Sequence, residues 1–238
     1  VAKLAPVNIK ELEIDVLFTP VIRYLPTGGG ELSQDNVNGG FTVNSSNKSL
    51  IFVYRHQEWF KVFIHETVHA FRFEPVFTPE DDMACALRLG YDNPVSLRET
   101  YCELVARVNQ CVFDAHRRTN DPHCYLESVR NSLEMERMFS QSQTTKLLSA
   151  QGVVDRSDLS GWSERTEGIA YFLYTAAMLS VLQDATQWLS VNSYQLSEFS
   201  GSETAKSEFC GIIMKGLLRD DVTARMAATG YLDINKLL

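Results

Sequence analysis

The segment from Trp59 to Phe71, WFKVFIHETVHAF, is apolar around most of a helix and still carries two histidines and a glutamate. Phe60, Val62, Phe63, Ile64, Val68, Ala70 and Phe71 lie around His65, Glu66 and His69. A helix that is apolar all round is a buried one. The three polar residues therefore go into the interior with it, where an unpartnered polar group costs several kcal/mol. Whatever fold the chain adopts must supply them with hydrogen-bonding partners or with a cation.

The spacing favours a cation. His65 and His69 are four residues apart, so on a helix they stack one turn above each other on one face. Two imidazoles so placed can converge on one tetrahedral ion at about 2.0–2.1 Å each. Glu66 lies about 60° around the helical wheel from His69. It is close enough to work on a water at the ion without ligating the ion, as a general base that later hands the proton to a leaving amine. A hydrogen-bonded polar cluster without metal is the competing reading.

The residues before this helix read as β structure. Leu12, Ile14, Val16 and Phe18 alternate with Glu13, Asp15 and Leu17, the period of a half-buried strand, and Val21 to Leu25 could continue it beyond Pro20. Pro26 to Gly40 is a loop rich in Gly and Asn. Its Gly28-Gly29-Gly30 lacks the following Gly-Lys-Ser/Thr of a phosphate loop. Phe41–Val43 and Ser49–Tyr54 form a hairpin. After Tyr54 the apolar period changes to about 3.6. Helices are expected over Gln57–Phe71, Pro79–Gly90 and Ser96–Arg117, the second with Asp81-Asp82 in its first turn, where acids suit the dipole. Another should start at Asp121-Pro122, an N-cap and first-turn pair. Ser140–Ser160 reads as a polar loop, Glu164–Leu182 as a strongly apolar helix, and one or two helices lie between Ser202 and Thr229. This order makes a single α+β domain over 1–238, β-rich in 1–55 and helical in 56–238.

Length and composition suit that reading. The 238 residues are 45% apolar, enough for a sizeable core. The net charge of −8 speaks against a nucleic-acid partner, which requires basic patches. No apolar run approaches the roughly 20 residues that span a bilayer. The start, VAKLAPVNIK, has neither a secretory pattern nor an initiator Met, so a processed or trimmed chain, or a part of a longer one, is expected. Cys85, Cys102, Cys111, Cys124 and Cys210 are odd in number and lack C-x-x-C spacing. Free thiols in a reducing, intracellular compartment fit them best.

Val62 to Phe71, VFIHETVHAF, resembles the extended motif of the zincin metallopeptidases, with uncharged residues around H-E-x-x-H and an apolar residue closing it. The resemblance runs from the strand before the helix to Ala106. It implies a zincin fold, in which a sheet precedes the active-site helix and its edge strand lines the cleft. It also implies a Zn2+ cofactor, a peptide or protein substrate and hydrolysis of peptide bonds. The branch with a third histidine does not fit, because Arg72 and Pro75 stand where its Gly and His would fall.

The gluzincin branch takes a glutamate from a later helix. RETYCELVA, Arg98 to Ala106, is similar to that segment, which implies Glu99 as third ligand and Glu103 as the carboxylate orienting a ligating histidine. Glu99 and Glu103 lie opposite the apolar face formed by Tyr101, Leu104, Val105, Val108 and Val112, where a solvated stripe would also lie. Glu167, in an apolar segment whose E-G-x-A also resembles third-ligand segments, is the rival ligand. If Glu99 binds the metal, Tyr171 or Tyr174 is left to stabilise an oxyanion or simply to fill the core. Cys102 as a thiolate ligand would resemble certain deformylases, but their Glu-Gly-Cys-Leu-Ser segment is missing. His56, His116 and His123 read as surface residues. The pairing of HETVH with ETYCE also resembles metallopeptidase-like proteins of large viruses. An alternative role is therefore a catalytically silent, metallopeptidase-like module of a larger assembly.

Overall fold

A computed structural model describes residues 5, 8–26, 30–119, 121–153, 158–159, 162, 164–192 and 202–219. The architecture is mixed α+β: three strands on one side and helices in the rest. Strands β1 (Glu11–Thr19), β2 (Gly40–Asn44) and β3 (Lys48–Arg55) make one sheet in the order β1-β3-β2. β2 and β3 are the expected antiparallel hairpin, while β1 runs parallel to β3. A short helix, α1 (Gln34–Val37), interrupts what reads as loop. Asn36 secures it, accepting from the Ser33 N–H and donating to the Tyr24 carbonyl. The three glycines at 28–30 fall partly outside the described residues, and Val21–Leu25 does not extend the strand.

The half-buried reading of β1 needs correcting. Leu12, Ile14 and Val16 sit opposite Ser49, Ile51 and Val53 on the face that carries the helix α2 (Trp59–Phe71). That helix packs over β3 and β2, and the apolar side chains of β1 stay exposed. Alternation shows which residues share a face; it does not show whether anything covers that face.

Beneath the sheet, Ile51, Val53, Val62, Ala70 and Phe71 form a small core between β3 and α2. Burying side chains of this kind is worth about 1.5–3 kcal/mol each for the larger ones, and it fixes the helix that carries His65 and His69. A second, larger core lies among the remaining helices. These are α3 (Pro79–Arg88), α4 (Leu97–Arg118), α5 (Pro122–Ala150), α6 (Thr175–Ser180), α7 (Leu182–Asn192) and α8 (Glu203–Leu217). Asp121 caps α5 as expected, accepting from the His123 N–H at 2.9 Å.

Two further expectations fail for physical reasons. α5 runs through the supposed loop as far as Ala150, because Ser140 and Thr144 are buried in the packed helices and the Thr144 hydroxyl is satisfied by backbone; Thr144 Oγ1 donates to the Ser140 and Phe172 carbonyls. The expected helix over Glu164–Leu182 begins only after Glu164, whose carboxylate accepts from the Ile169 N–H. Its first turns, Ile169–Tyr174, are π-helical and lead into α6.

The cysteines depart from the free-thiol reading in one pair. Cys85 of α3 and Cys210 of α8 are joined in a disulfide across 125 residues, with Cys102, Cys111 and Cys124 free. The chemical argument for a reducing compartment does not extend to that pair. No described helix is long and apolar enough to cross a membrane.

Candidate metal centre

α2 and α4 cross with their polar residues facing each other. Ser96 starts α4, its hydroxyl accepting from the Glu99 N–H at 3.2 Å. This cap fixes the helix so that Glu99 and Glu103, one turn apart, point at α2. Both carboxylates are buried, at 9% and 3% exposure, so the stripe is not a solvated face. α4 is covered on two sides, by α2 over the acids and by α5 and α6 elsewhere.

Three atoms converge there. His65 Nε2 lies 3.1 Å from His69 Nε2 and 3.1 Å from Glu99 Oε2, and His69 Nε2 lies 3.2 Å from the same oxygen. Ligand atoms about 2.0–2.1 Å from one tetrahedral ion stand about 3.3 Å apart, and the observed triangle is close to that. The outer nitrogens decide what the inner ones offer. His65 Nδ1 faces Glu103 Oε2 at 3.2 Å, and His69 Nδ1 faces Glu74 Oε1 at 3.1 Å. An ionised carboxylate only accepts, so each ring carries a proton on Nδ1, and each Nε2 is left to hold either a second proton, donated to Glu99, or a metal ion. Two imidazole lone pairs and a carboxylate oxygen aimed at one point repel each other unless a cation or protons lie between them. The donor set, two imidazoles and a carboxylate, suits Zn2+.

The surrounding charges hold this geometry. Glu103 Oε1 accepts from Lys61 Nζ at 2.6 Å and from Arg107 Nε at 2.8 Å, and Arg107 also pairs with Glu136. Burial opposes ionisation of Glu103, but Lys61 and Arg107 hold its carboxyl well below the usual range. Burial likewise opposes ionisation of Glu99, and hydrogen bonds from His65 and His69 overcome it. For His65, burial disfavours the imidazolium, yet Glu103 and Glu99 raise its pKa to about 9. Protons and a metal ion thus compete for the same lone pairs.

Glu66 points the other way around α2, toward the sheet. Its Oε2 accepts from Thr42 Oγ1 of β2 at 2.8 Å. Gly40 permits this closeness: a Cβ there would lie 2.7 Å from the Phe52 carbonyl oxygen and 2.8 Å from Val62 Cγ1. Glu66 and His65 open onto a cleft whose other walls include Gly39, Gly40, Lys61 and Tyr171. Tyr171, set by the π-helical turn, donates to Glu99 Oε2 at 3.4 Å and meets the His65 ring edge-on at 5.7 Å. π-Helical turns concentrate at functional sites.

The other candidates are placed elsewhere. Glu167 is outside the group of convergent ligand atoms; burial and the charge of Glu99 push its carboxyl up to about 7. Tyr174 is buried in the helical core. Cys102 Sγ lies 3.7 Å from His69 Nδ1, on the far side of the ring from Glu99, and burial pushes its thiol up to about 12. His56, His116 and His123 are exposed.

Four partners escaped the sequence reading: Glu74, Thr42, Lys61 and Arg107. Lys61 in a buried helix and Arg107 one turn after Glu103 carried a signal, since buried cations must be paired. Glu74 follows Arg72, whose left-handed backbone (φ 53°) ends α2, and no pattern marks such a turn. No family model, curated protein or solved structure matches the chain significantly.

Proposed function

We propose that the chain is a zinc-dependent metallopeptidase of zincin-like, gluzincin-type design, with His65, His69 and Glu99 as the metal ligands. The observation that carries this reading is the triangle of lone-pair atoms, each ring fixed from behind by its own carboxylate. When bound, the ion supplies Lewis acidity that polarises a carbonyl and makes water a better nucleophile.

The remaining work falls to the chain's own residues. Glu66 takes a proton from water at its carboxylate and returns it to the leaving amine, while Thr42 holds that carboxylate in one rotamer. Glu103 and Glu74 orient the histidines through Nδ1. Tyr171, with its hydroxyl beside Glu99 and its ring against His65, is placed to donate to an oxyanion. The substrate is a peptide lying in the cleft between β2 and α2. A peptide library incubated with zinc-loaded wild-type protein and with Glu66→Gln tests the activity. Cleavage by the former alone supports it. No cleavage at full zinc occupancy favours a catalytically silent module.

A further inference from the structure

The cleft contains a cation whose best hydrogen-bonding edge has no partner among the described residues. Arg23, in the segment after β1, lines the same cleft as His65 and Glu66. Its Nη1 pairs with Glu58. Its Nε is buried and has no hydrogen-bond partner among the described residues, and Nη2 makes none of the described hydrogen bonds either. Nη2 lies over Gly39, 3.0 Å from where a Cβ would stand. In a guanidinium, Nε–H and Nη2–H point the same way, as the fork that takes a carboxylate through two parallel bonds.

The rest of the wall keeps that fork in place and charged. Glu58, which holds Nη1, is itself in a left-handed conformation (φ 55°) at the start of α2 and also faces Lys61 at 3.7 Å. Burial opposes its ionisation, but Lys61 and Arg23 bring its carboxyl down to about 2. Lys61, the second cation of the cleft, is committed to Glu103. A buried N–H without an acceptor is destabilising. A ligand carboxylate removes that cost, whereas a carboxamide offers one oxygen and no charge.

We propose that the Nε/Nη2 edge of Arg23 is a carboxylate-binding subsite, so that the preferred substrates are peptides with a carboxylate beside the scissile bond. This rests on the metallopeptidase reading for what happens to the peptide, but not for its binding. The carboxylate is either the peptide's C-terminus or an Asp or Glu side chain, and the two are separable.

The test is peptide binding to the zinc-loaded Glu66→Gln protein, measured by calorimetry with one N-acetylated sequence in four forms. These forms combine a free or amidated C-terminus with an internal Asp or Asn. One carboxylate, in one of the two positions, should bind about 10- to 100-fold more tightly than its amide counterpart. Adding Arg23→Gln should remove that preference, and Arg23→Lys should restore only part of it, since an ammonium cannot bind bidentately. Equal binding of all four forms overturns the proposal, as does a preference that survives Arg23→Gln. Equal binding of the four peptides by the Arg23-containing protein overturns the proposal even where an Arg23 variant misfolds, and Arg23→Lys, which keeps the charge, supplies the comparison where Arg23→Gln does not fold. A carboxylate preference together with a zinc-loaded wild type that cleaves nothing supports the subsite and overturns hydrolysis. Cleavage indifferent to every carboxylate does the reverse.

Discussion

The Nε2 atoms of His65 and His69 face each other at 3.1 Å, and neither nitrogen is the one that bonds its ring's supporting carboxylate. Glu99 Oε2 closes the arrangement at 3.1 and 3.2 Å. Two imidazole nitrogens and a carboxylate oxygen gather this closely only with something positive between them, either protons or a metal ion. The consequences can be tested residue by residue.

Glu99→Ala should weaken zinc binding most among the acidic substitutions, since it removes a ligand atom. Glu103→Ala should cost roughly 10- to 100-fold in zinc affinity. It should also lower stability by about 3–5 kcal/mol, because Lys61 and Arg107 are left buried without their shared carboxylate. Glu167→Ala should leave zinc affinity near wild type. Zinc titrations with thermal melts of the same variants separate the two effects. Loss of zinc in Glu167→Ala with wild-type affinity in Glu99→Ala would reverse the ligand assignment.

Glu66→Gln should retain zinc and lose hydrolysis by about 10²–10⁴-fold, the range for a general base. The amide still accepts from Thr42, so the rotamer is kept and only proton transfer is removed. The measurement is kcat/KM on whichever peptide the wild type cleaves, alongside zinc content. Unchanged kcat/KM in a zinc-replete variant excludes Glu66 as the base.

Glu74 was not foreseen as a partner of His69, and Glu74→Gln tests it independently. The expected cost is about tenfold or more in zinc affinity, with the fold intact. Glutamine can still accept from Nδ1–H but carries no charge to raise the ring's basicity. An affinity equal to wild type means that Cys102 and packing alone orient the ring.

Stability should fall as pH rises through the range set by Glu164. Burial raises its carboxyl to about 7, outweighing the N–H donated by Ile169. The folded state therefore holds a proton that the unfolded chain releases near pH 4.5. The stabilisation is present below about 4.5 and is lost as the pH approaches and passes 7. Glu164→Gln should flatten this slope, being more stable relative to wild type at pH 8 than at pH 5, as read from denaturant midpoints. An unchanged slope means that the carboxyl is ionised throughout.

Much of this was legible in the chain because local rules govern it. The four-residue spacing of His65 and His69 on an apolar helix set their common face, and Asp121 announced its helix as a cap. The hairpin of β2 and β3 followed from alternation. What depends on a distant surface was not legible. β1 has a good alternating pattern but stays exposed, since α2 ends up over its neighbours. Ser140 and Thr144 look polar in isolation, but both are buried among the packed helices, where the Thr144 hydroxyl bonds two carbonyls. Cys85 and Cys210 are 125 residues apart, and only the packing of α3 against α8 brings them together. At the candidate centre the two histidines came from their spacing and Glu99 from a resemblance, whereas Glu74 and Thr42 depend on how a turn and an edge strand close around α2.

The most direct measurement is the metal content of protein purified without added metal, by elemental analysis. The account predicts about one zinc per chain in the wild type, and loss of stoichiometric zinc when either His65 or His69 is replaced by Ala. A double variant, His65→Ala with His69→Ala, that still holds one zinc per chain would contradict it, as would a metal-free wild type that takes up no zinc on titration.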